Sequence, residues 1–341
     1  MDIKTGIRRL VQNQDLDTDT VAALLRDIMT GQSTDAQIAA FLVALHIKGE
    51  TTEELLGAAR TMRELATPVK LDSVEHLVDT CGTGGTGADT FNISTASAMV
   101  AATAGARVAK HGNRGATSKS GSADVLEAAG VNLAIGPEDV ARCIDEVGVG
   151  FMFAPGHHSA MKHVIGPRRE IGVRTVFNLL GPLTNPAGAP NQLLGVFDHY
   201  WIEPMLKVLK ALGSRHVLLV SAEDGLDEIS IAATTRVGEL KDGVISHYSI
   251  KPEDFGLQRQ SDYRMLQIDS PEASLEMLKQ ALTYENQAAG DIVALNAGAA
   301  IYAAGVVDDL AGGVERAIGI LRSGEAMQTL QRLARFTADL K

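Results

Sequence analysis

His76-Leu77-Val78-Asp79-Thr80-Cys81 runs into Gly82-Thr83-Gly84-Gly85-Thr86-Gly87, then through Asn92-Ile93-Ser94-Thr95 into an alanine-rich stretch ending at Ala104. A short apolar strand, a glycine turn and a helix in that order open an α/β unit. The turn matches G-x-G-x-x-G, but a dinucleotide site also needs an acid about 20 residues on for the ribose hydroxyls. None occurs between Thr90 and Ala123. The second strand, Ala106 to Ala109, runs instead into Lys110-His111-Gly112-Asn113-Arg114. From Arg107 to Ser122 the charged residues are Arg107, Lys110, Arg114 and Lys119, with Asn113, Thr117, Ser118, Ser120 and Ser122 among them. Such a donor-rich loop suits phosphate oxygens. Ser94 reads as the cap of the alanine-rich helix, whose free N–H groups add to an anion site.

Upstream, the first seventy residues read as helices. Asp17 precedes Val21, Leu24, Leu25 and Ile28 at helical spacing. Thr34 with Gln37 and Thr51 with Glu54 are capping-box pairs, Gly31 and Gly49 mark helix ends, and Thr67-Pro68 ends the unit. Downstream, Ser122 is expected to cap a helix. Strands are expected around Asn132–Ile135, Gly150–Phe153, Leu193–Val196, Val217–Ser221 and Ile292–Asn296. Residues 156–183 carry no strand signal and read as a helical excursion back to the first unit. The expected fold is therefore α/β, with a small all-helical domain (1–70, joined by about 156–186) and a larger domain (71–155 and 187–341) around a mostly parallel sheet.

The 341 residues fit roughly two domains at about 150 residues each. With 31 Lys and Arg against 42 Asp and Glu, the net charge is −11, which speaks against a general nucleic-acid binder. No apolar run approaches the ~18 residues of a membrane span, and the start lacks a signal-peptide layout. Two cysteines, Cys81 and Cys143, build no disulfide scaffold, so a cytoplasmic protein is expected.

A second basic stretch holds His157, His158, Lys162, His163, Arg168, Arg169 and Arg174. Adjacent histidines without a nearby Cys do not have metal-ligand spacing. An arginine fork suits a carboxylate, so a flat organic acid beside the phosphate loop is the sharper reading. Arg169 and Arg174 are expected to pair with Glu170 or cap helix ends. The strand at Val217 runs into Asp224-Gly225-Leu226-Asp227-Glu228, where the last two carboxylates can ligate Mg²⁺ shared with substrate phosphates, or else form an exposed acidic turn.

Taken together these segments resemble the anthranilate phosphoribosyltransferase family of tryptophan biosynthesis. Gly82-Thr83-Gly84-Gly85, Asn92-Ile93-Ser94-Thr95, Lys110 to Arg114, Ser118 to Ser122, Ala154-Pro155, His158, Arg168, Asn178 to Leu183, Asn185-Pro186 and Asp227-Glu228 follow the family's order and spacing over nearly the whole chain. The resemblance implies Mg²⁺-dependent transfer of phosphoribose from phosphoribosyl pyrophosphate to anthranilate. It implies the nucleoside phosphorylase and class II phosphoribosyltransferase type of fold, hinge closure over a cleft, and a homodimer through the helical domain. It assigns phosphoribosyl pyrophosphate to Gly82, Gly85, Thr86, Thr90, Asn92, Ile93, Ser94, Thr95, Lys110, His111, Gly112, Asn113, Arg114, Gly115, Ala116, Thr117, Ser118 and Ser122. Anthranilate falls to Gly82, Asn113, His158 and Arg168, and Mg²⁺ to Ser94, Asp227 and Glu228. His111 is the candidate general base. The family commonly has Asp where this chain has Thr86, which implies an altered Mg²⁺ dependence. The rivals are a pyrimidine nucleoside phosphorylase-like enzyme and a non-catalytic nucleic-acid-binding relative. The Asp227-Glu228 pair and the charge balance speak against them.

Overall fold

The computed structural model describes residues 1–115 and 118–340. Helices α1 (Ile3–Val11), α2 (Thr18–Met29), α3 (Asp35–Lys48) and α4 (Thr52–Leu65) come first. Their ends follow local chemistry. The Asp17 carboxylate accepts the Thr20 N–H at 2.8 Å. Both capping boxes close reciprocally, Thr34 with Gln37 and Thr51 with Glu54. Gly49 ends α3 at φ +88, in a left-handed region that costs other residues strain. The buried Glu54 carboxylate also accepts the Leu16 N–H and the Lys48 ammonium, each at 2.9 Å, which ties α4 to the α1–α2 connection and to α3.

The chain then enters a seven-stranded sheet. Strands β1 (Leu77–Gly82), β2 (Arg107–Gly112) and β3 (Val149–Phe153) alternate with α5 (Ile93–Thr103), α6 (Ser122–Ala128) and α7 (Pro137–Val147). Three short helices follow, α8 (Ala154–His157), α9 (Ile165–Ile171) and α10 (Phe177–Leu180). Then come β4 (Asn191–Gly195), α11 (Ile202–Ala211), β5 (His216–Ala222) and the hairpin β6 (Thr235–Lys241) and β7 (Val244–Ile250). Helices α12 (Pro271–Leu282), α13 (Gln287–Ala303), α14 (Leu310–Ser323) and α15 (Glu325–Ala338) close the chain. The strand order is β3-β2-β1-β4-β5-β6-β7; β3 to β5 are parallel, and β6 and β7 pair antiparallel.

Side-chain alternation along β5 divides the core. Leu218 and Val220 face the layer of α5 and α13, whereas Val217 and Leu219 face α11. That second face continues through Leu206 and Leu209 into Leu24, Leu42 and Leu55 of the helical bundle, so bundle and sheet share one apolar body. Val164, Phe177 and Leu180 of the α8–α10 segment lie in one apolar cluster with Leu42 and Leu55 of the bundle, and Thr67, just after α4, donates to the His157 carbonyl at 2.8 Å.

Several expectations are corrected. Residues 292–296 lie inside α13, which is apolar on every side and almost wholly buried, and a short apolar run cannot distinguish such a helix from a strand. Asn132 to Ile135 is irregular, its start held by Asn132 N–H on Thr337 Oγ1 at 3.1 Å. The β6–β7 hairpin was not anticipated, although its Asp242-Gly243 turn, at φ +48 and +81, is a strong hairpin signal. Asn92, not Ser94, occupies the cap position of α5, and Gly121, not Ser122, that of α6. Both cysteines are free. Among the described residues no helix is long and apolar enough to cross a membrane.

Candidate active site

The strand order reverses between β1 and β4. In such sheets ligands bind beyond the carboxyl ends of the strands flanking that switch. Here the ends are Gly82 and Gly195, paired in register. Thr83 N–H donates to the Gly195 carbonyl at 2.9 Å, and Phe197 N–H donates to Thr83 Oγ1 at 3.0 Å. The loop after β5 packs onto the same point: a Cβ on Gly82 would lie 2.7 Å from Asp227 Oδ2. Gly84, at φ +62, donates its N–H to that same oxygen at 2.9 Å.

Asp227 and Glu228 are therefore not an exposed acidic turn. Asp224, also half-buried, closes the turn before them, accepting from Ser230 Oγ at 2.6 Å and from Leu226 N–H at 3.3 Å. Asp227 and Glu228 are half-buried at the cleft floor. Burial raises the proton affinity of Asp227. Burial, followed by the Asp227 charge, pushes Glu228 up to about 8, although it accepts the Ser94 N–H. Among the described residues no Lys or Arg lies in ion-pair range of either. Two crowded carboxylates without an ion-pair partner fit a divalent cation. No cluster of three His, Cys, Asp or Glu among the described residues holds a metal alone. Such a pair therefore suits Mg²⁺, which takes its remaining oxygens from substrate and water.

Lys110, near the end of β2, is buried, and its ammonium donates to the Thr80 carbonyl at 2.5 Å and to Ser94 Oγ at 3.2 Å. Burial lowers its proton affinity, against the attraction of Asp79 and Glu228. Asp79 lies beneath, fully buried, accepting from Asn185 Nδ2 at 2.7 Å and from His111 N–H at 3.2 Å. Sequence reading missed Asp79. Its signal was an acid within an otherwise apolar strand, where a charge persists only if compensated.

The loop after β2 is built less freely than its composition suggested. Arg114 bonds Glu127 at 2.7 Å and Asp124 at 3.0 Å, and Arg107 pairs with Asp145, so two of the four cations are neutralised from α6 and α7. Gly115 and Gly121 both donate to Asp124 Oδ2 at 2.9 Å. Ser122 Oγ donates to the Asn113 carbonyl, and the Asn113 side chain accepts its neighbour's N–H. A Cβ on Gly112 would lie 2.1 Å from Ser122 Oγ. Ser118 Oγ bonds the Ser120 carbonyl. Asn92 receives Ser274 Oγ at 2.7 Å and Ser120 Oγ at 2.8 Å, joining this loop to α5 and α12. Thr90 bridges Gln267, and Thr86 Oγ1 accepts the Ala88 N–H. The side chains of Ile93 and Thr95 are buried beneath the helix start, so these two residues face the cleft through their backbone alone. Ala116 and Thr117 lie outside the described residues.

The second group flanks this floor. The His111 and His158 rings pack at a tilt of 55° with centroids 5.1 Å apart. Burial first, then the neighbouring imidazole, pushes His111 down to about 3. Burial takes His158 to about 4. Each Nε2 is buried without a hydrogen-bond partner among the described residues. Arg168 lies 5.1 Å from the Phe177 ring centroid with no carboxylate in ion-pair range among the described residues. Arg174 departs from expectation. It neither pairs with Glu170 nor caps a helix, but donates to the Gly85 carbonyl and lies 4.1 Å from the Phe197 ring centroid. A polar cavity of about 270 Å³ lined by His76, Arg215, His216 and Tyr302 lies at the opposite ends of the strands and shares no residue with this cleft.

Known proteins agree with this architecture. Residues 4–66 match the helical bundle domain of the glycosyl transferase family, and residues 74–327 match its a/b domain. The chain is 58% identical to anthranilate phosphoribosyltransferase of Thioalkalivibrio sulfidiphilus, over 99% of this chain and 100% of that protein. It is 56% identical to that of Ectopseudomonas mendocina over 100% and 99%. The crystal structure of the Thermus thermophilus enzyme superposes with a TM-score of 0.92 at 42% identity, covering 98% of this chain and 99% of that one. The Saccharomyces cerevisiae enzyme in complex with PRPP and Mg shares the fold, with a TM-score of 0.90 at 24% identity over 99% and 98%. With full-length relatives above half identity and both domains matched, this chain belongs to the anthranilate phosphoribosyltransferase family.

Proposed function

We propose that the cleft transfers the 5-phosphoribosyl group from phosphoribosyl pyrophosphate to the amine of anthranilate, releasing pyrophosphate, as a Mg²⁺-dependent step of tryptophan biosynthesis. The observation that carries this reading is the meeting, at the β1–β4 switch point, of a crowded carboxylate pair with a buried lysine, alongside an arginine that has no carboxylate partner among the described residues. The carbon–oxygen bond to the leaving group breaks as the aryl nitrogen bonds to ribose C1, and the resulting arylammonium gives its proton to the released pyrophosphate, a stronger base. Mg²⁺, held by Asp227, Glu228 and Ser94, would neutralise charge on the leaving pyrophosphate. Lys110 and the N–H groups of the glycine turn offer fixed donors to the same oxygens. Arg168, weakly hydrated against Phe177, receives the anthranilate carboxylate, and Asn113, His158 and Gly82 flank the ring. An aryl amine is uncharged and nucleophilic at pH 7, so no strong base is required. The downward shift of His111 favours a neutral packing role over base catalysis.

Exclusion of water by closure of the helical side over the sheet would protect the activated ribose. Val11 and Ile47 are large exposed apolar side chains on α1 and α3, and they support a homodimer through the helical domain, testable by light scattering. The charge balance and the absence of a membrane-length helix among the described residues fit a cytoplasmic enzyme. The deciding assay follows anthranilate fluorescence. Loss of signal only with phosphoribosyl pyrophosphate and Mg²⁺ together supports the reading. No loss from folded protein overturns it.

A further inference from the structure

Arg174 lies between α9 and α10, in the excursion that packs against the helical bundle, yet its guanidinium reaches across the cleft. One nitrogen donates to the Gly85 carbonyl, and a Cβ on Gly85, itself at φ +76, would lie 3.3 Å from that nitrogen. The guanidinium lies against the ring of Phe197, whose N–H is held by Thr83 Oγ1. Phe197 thus fixes both the arginine and the turn. No carboxylate among the described residues pairs with Arg174, and the turn from Gly82 to Ala88 contains no acid. An arginine has five donors, and this one spends few of them on protein.

We propose that Arg174 is a binding residue for the pyrophosphate end of phosphoribosyl pyrophosphate, reaching it over the Gly84-Gly85 turn from the helical side of the cleft. Gly84, the neighbour of the glycine whose carbonyl Arg174 holds, donates its N–H to Asp227 Oδ2 at 2.9 Å, so one turn of two residues joins the guanidinium to that carboxylate. A diphosphate sharing a cation with Asp227 and Glu228 would lie next to that carboxylate, so its oxygens fall to the same fork. Stacking on Phe197 pre-orients the planar group, which limits the entropy lost on binding. The inference rests on the reaction proposed above and adds a residue to its leaving-group side.

The test is calorimetric, with Mg²⁺ present, on wild type, Arg174→Ala and Arg174→Lys. Inorganic pyrophosphate and ribose 5-phosphate serve as separate probes of the two ends. Arg174→Ala should weaken pyrophosphate binding about tenfold and leave ribose 5-phosphate within twofold. Arg174→Lys, which keeps the charge without the fork, should fall between. In turnover, KM for phosphoribosyl pyrophosphate should rise while KM for anthranilate holds. Unchanged pyrophosphate affinity overturns the proposal, and so does equal weakening of both probes, the mark of a merely structural role. Wild type that binds neither probe and consumes no anthranilate would overturn the proposed reaction instead.

Discussion

The Asp227 carbonyl oxygen packs against Gly195 so closely that a Cβ there would lie 1.6 Å from it. This contact sets the loop after β5 against the end of β4 and so fixes where the carboxylate pair points. Gly195→Ala must therefore displace the loop. It should destabilise the fold by about 1–3 kcal/mol and raise the Mg²⁺ concentration needed for turnover, read by denaturant unfolding and metal titration. Wild-type stability would contradict this close packing.

Arg168 is half-buried beside Phe177, with no carboxylate in ion-pair range among the described residues. Arg168→Ala should raise KM for anthranilate about 100-fold, equivalent to ~2.7 kcal/mol, with little change in KM for phosphoribosyl pyrophosphate. A shift in the phosphoribosyl pyrophosphate KM alone would place Arg168 on the other substrate.

Lys110 serves two ends at once: it reaches Ser94 Oγ at the floor, and its charge offsets buried Asp79. Lys110→Met should lower kcat/KM about 100-fold and also destabilise the protein, on the order of 3 kcal/mol, because Asp79 is left buried without its cation. Adding Asp79→Asn should recover stability without recovering activity. Recovery of both would mean that Lys110 acts only as a structural ion.

Glu228 gives a pH signature. Its carboxyl holds a proton in the metal-free fold up to about pH 8, whereas its ordinary value is 4.5. Between those values the native state binds more protons than the unfolded chain, so metal-free stability falls as pH rises through this window. Glu228→Gln should flatten that decline. Mg²⁺ should raise the wild-type Tm at pH 8 more than it raises the variant's. Identical pH profiles for the two proteins would refute the assignment.

Thr86 stands in the glycine turn, its hydroxyl spent on the Ala88 N–H. Asp89, three residues on, turns its carboxylate to the Lys119 N–H, which it accepts at 3.3 Å. Thr86→Asp should lower the half-saturating Mg²⁺ concentration a few-fold. An unchanged titration curve would show that residue 86 does not affect metal binding.

Features dictated by short-range chemistry were legible in the chain before it folded. The caps at Asp17, Thr34 and Thr51, the strand–glycine turn–helix from β1 to α5, and the buried strand β5 all depend on neighbours within a few residues. The place of Asp227 and Glu228 was legible for the same reason: they follow the apolar run of β5 by a few residues. Tertiary structure decided what depends on distant partners. It made Ile292–Asn296 a helix, because a segment buried on every side carries no periodicity. Only the fold paired Arg114 with Asp124 and Glu127, set Asp79 beneath Lys110, and carried Arg174 from the helical side to Gly85. A charged side chain's role depends on which opposite charge or carbonyl the packed chain brings within a few ångströms. No spacing along the sequence encodes that distance.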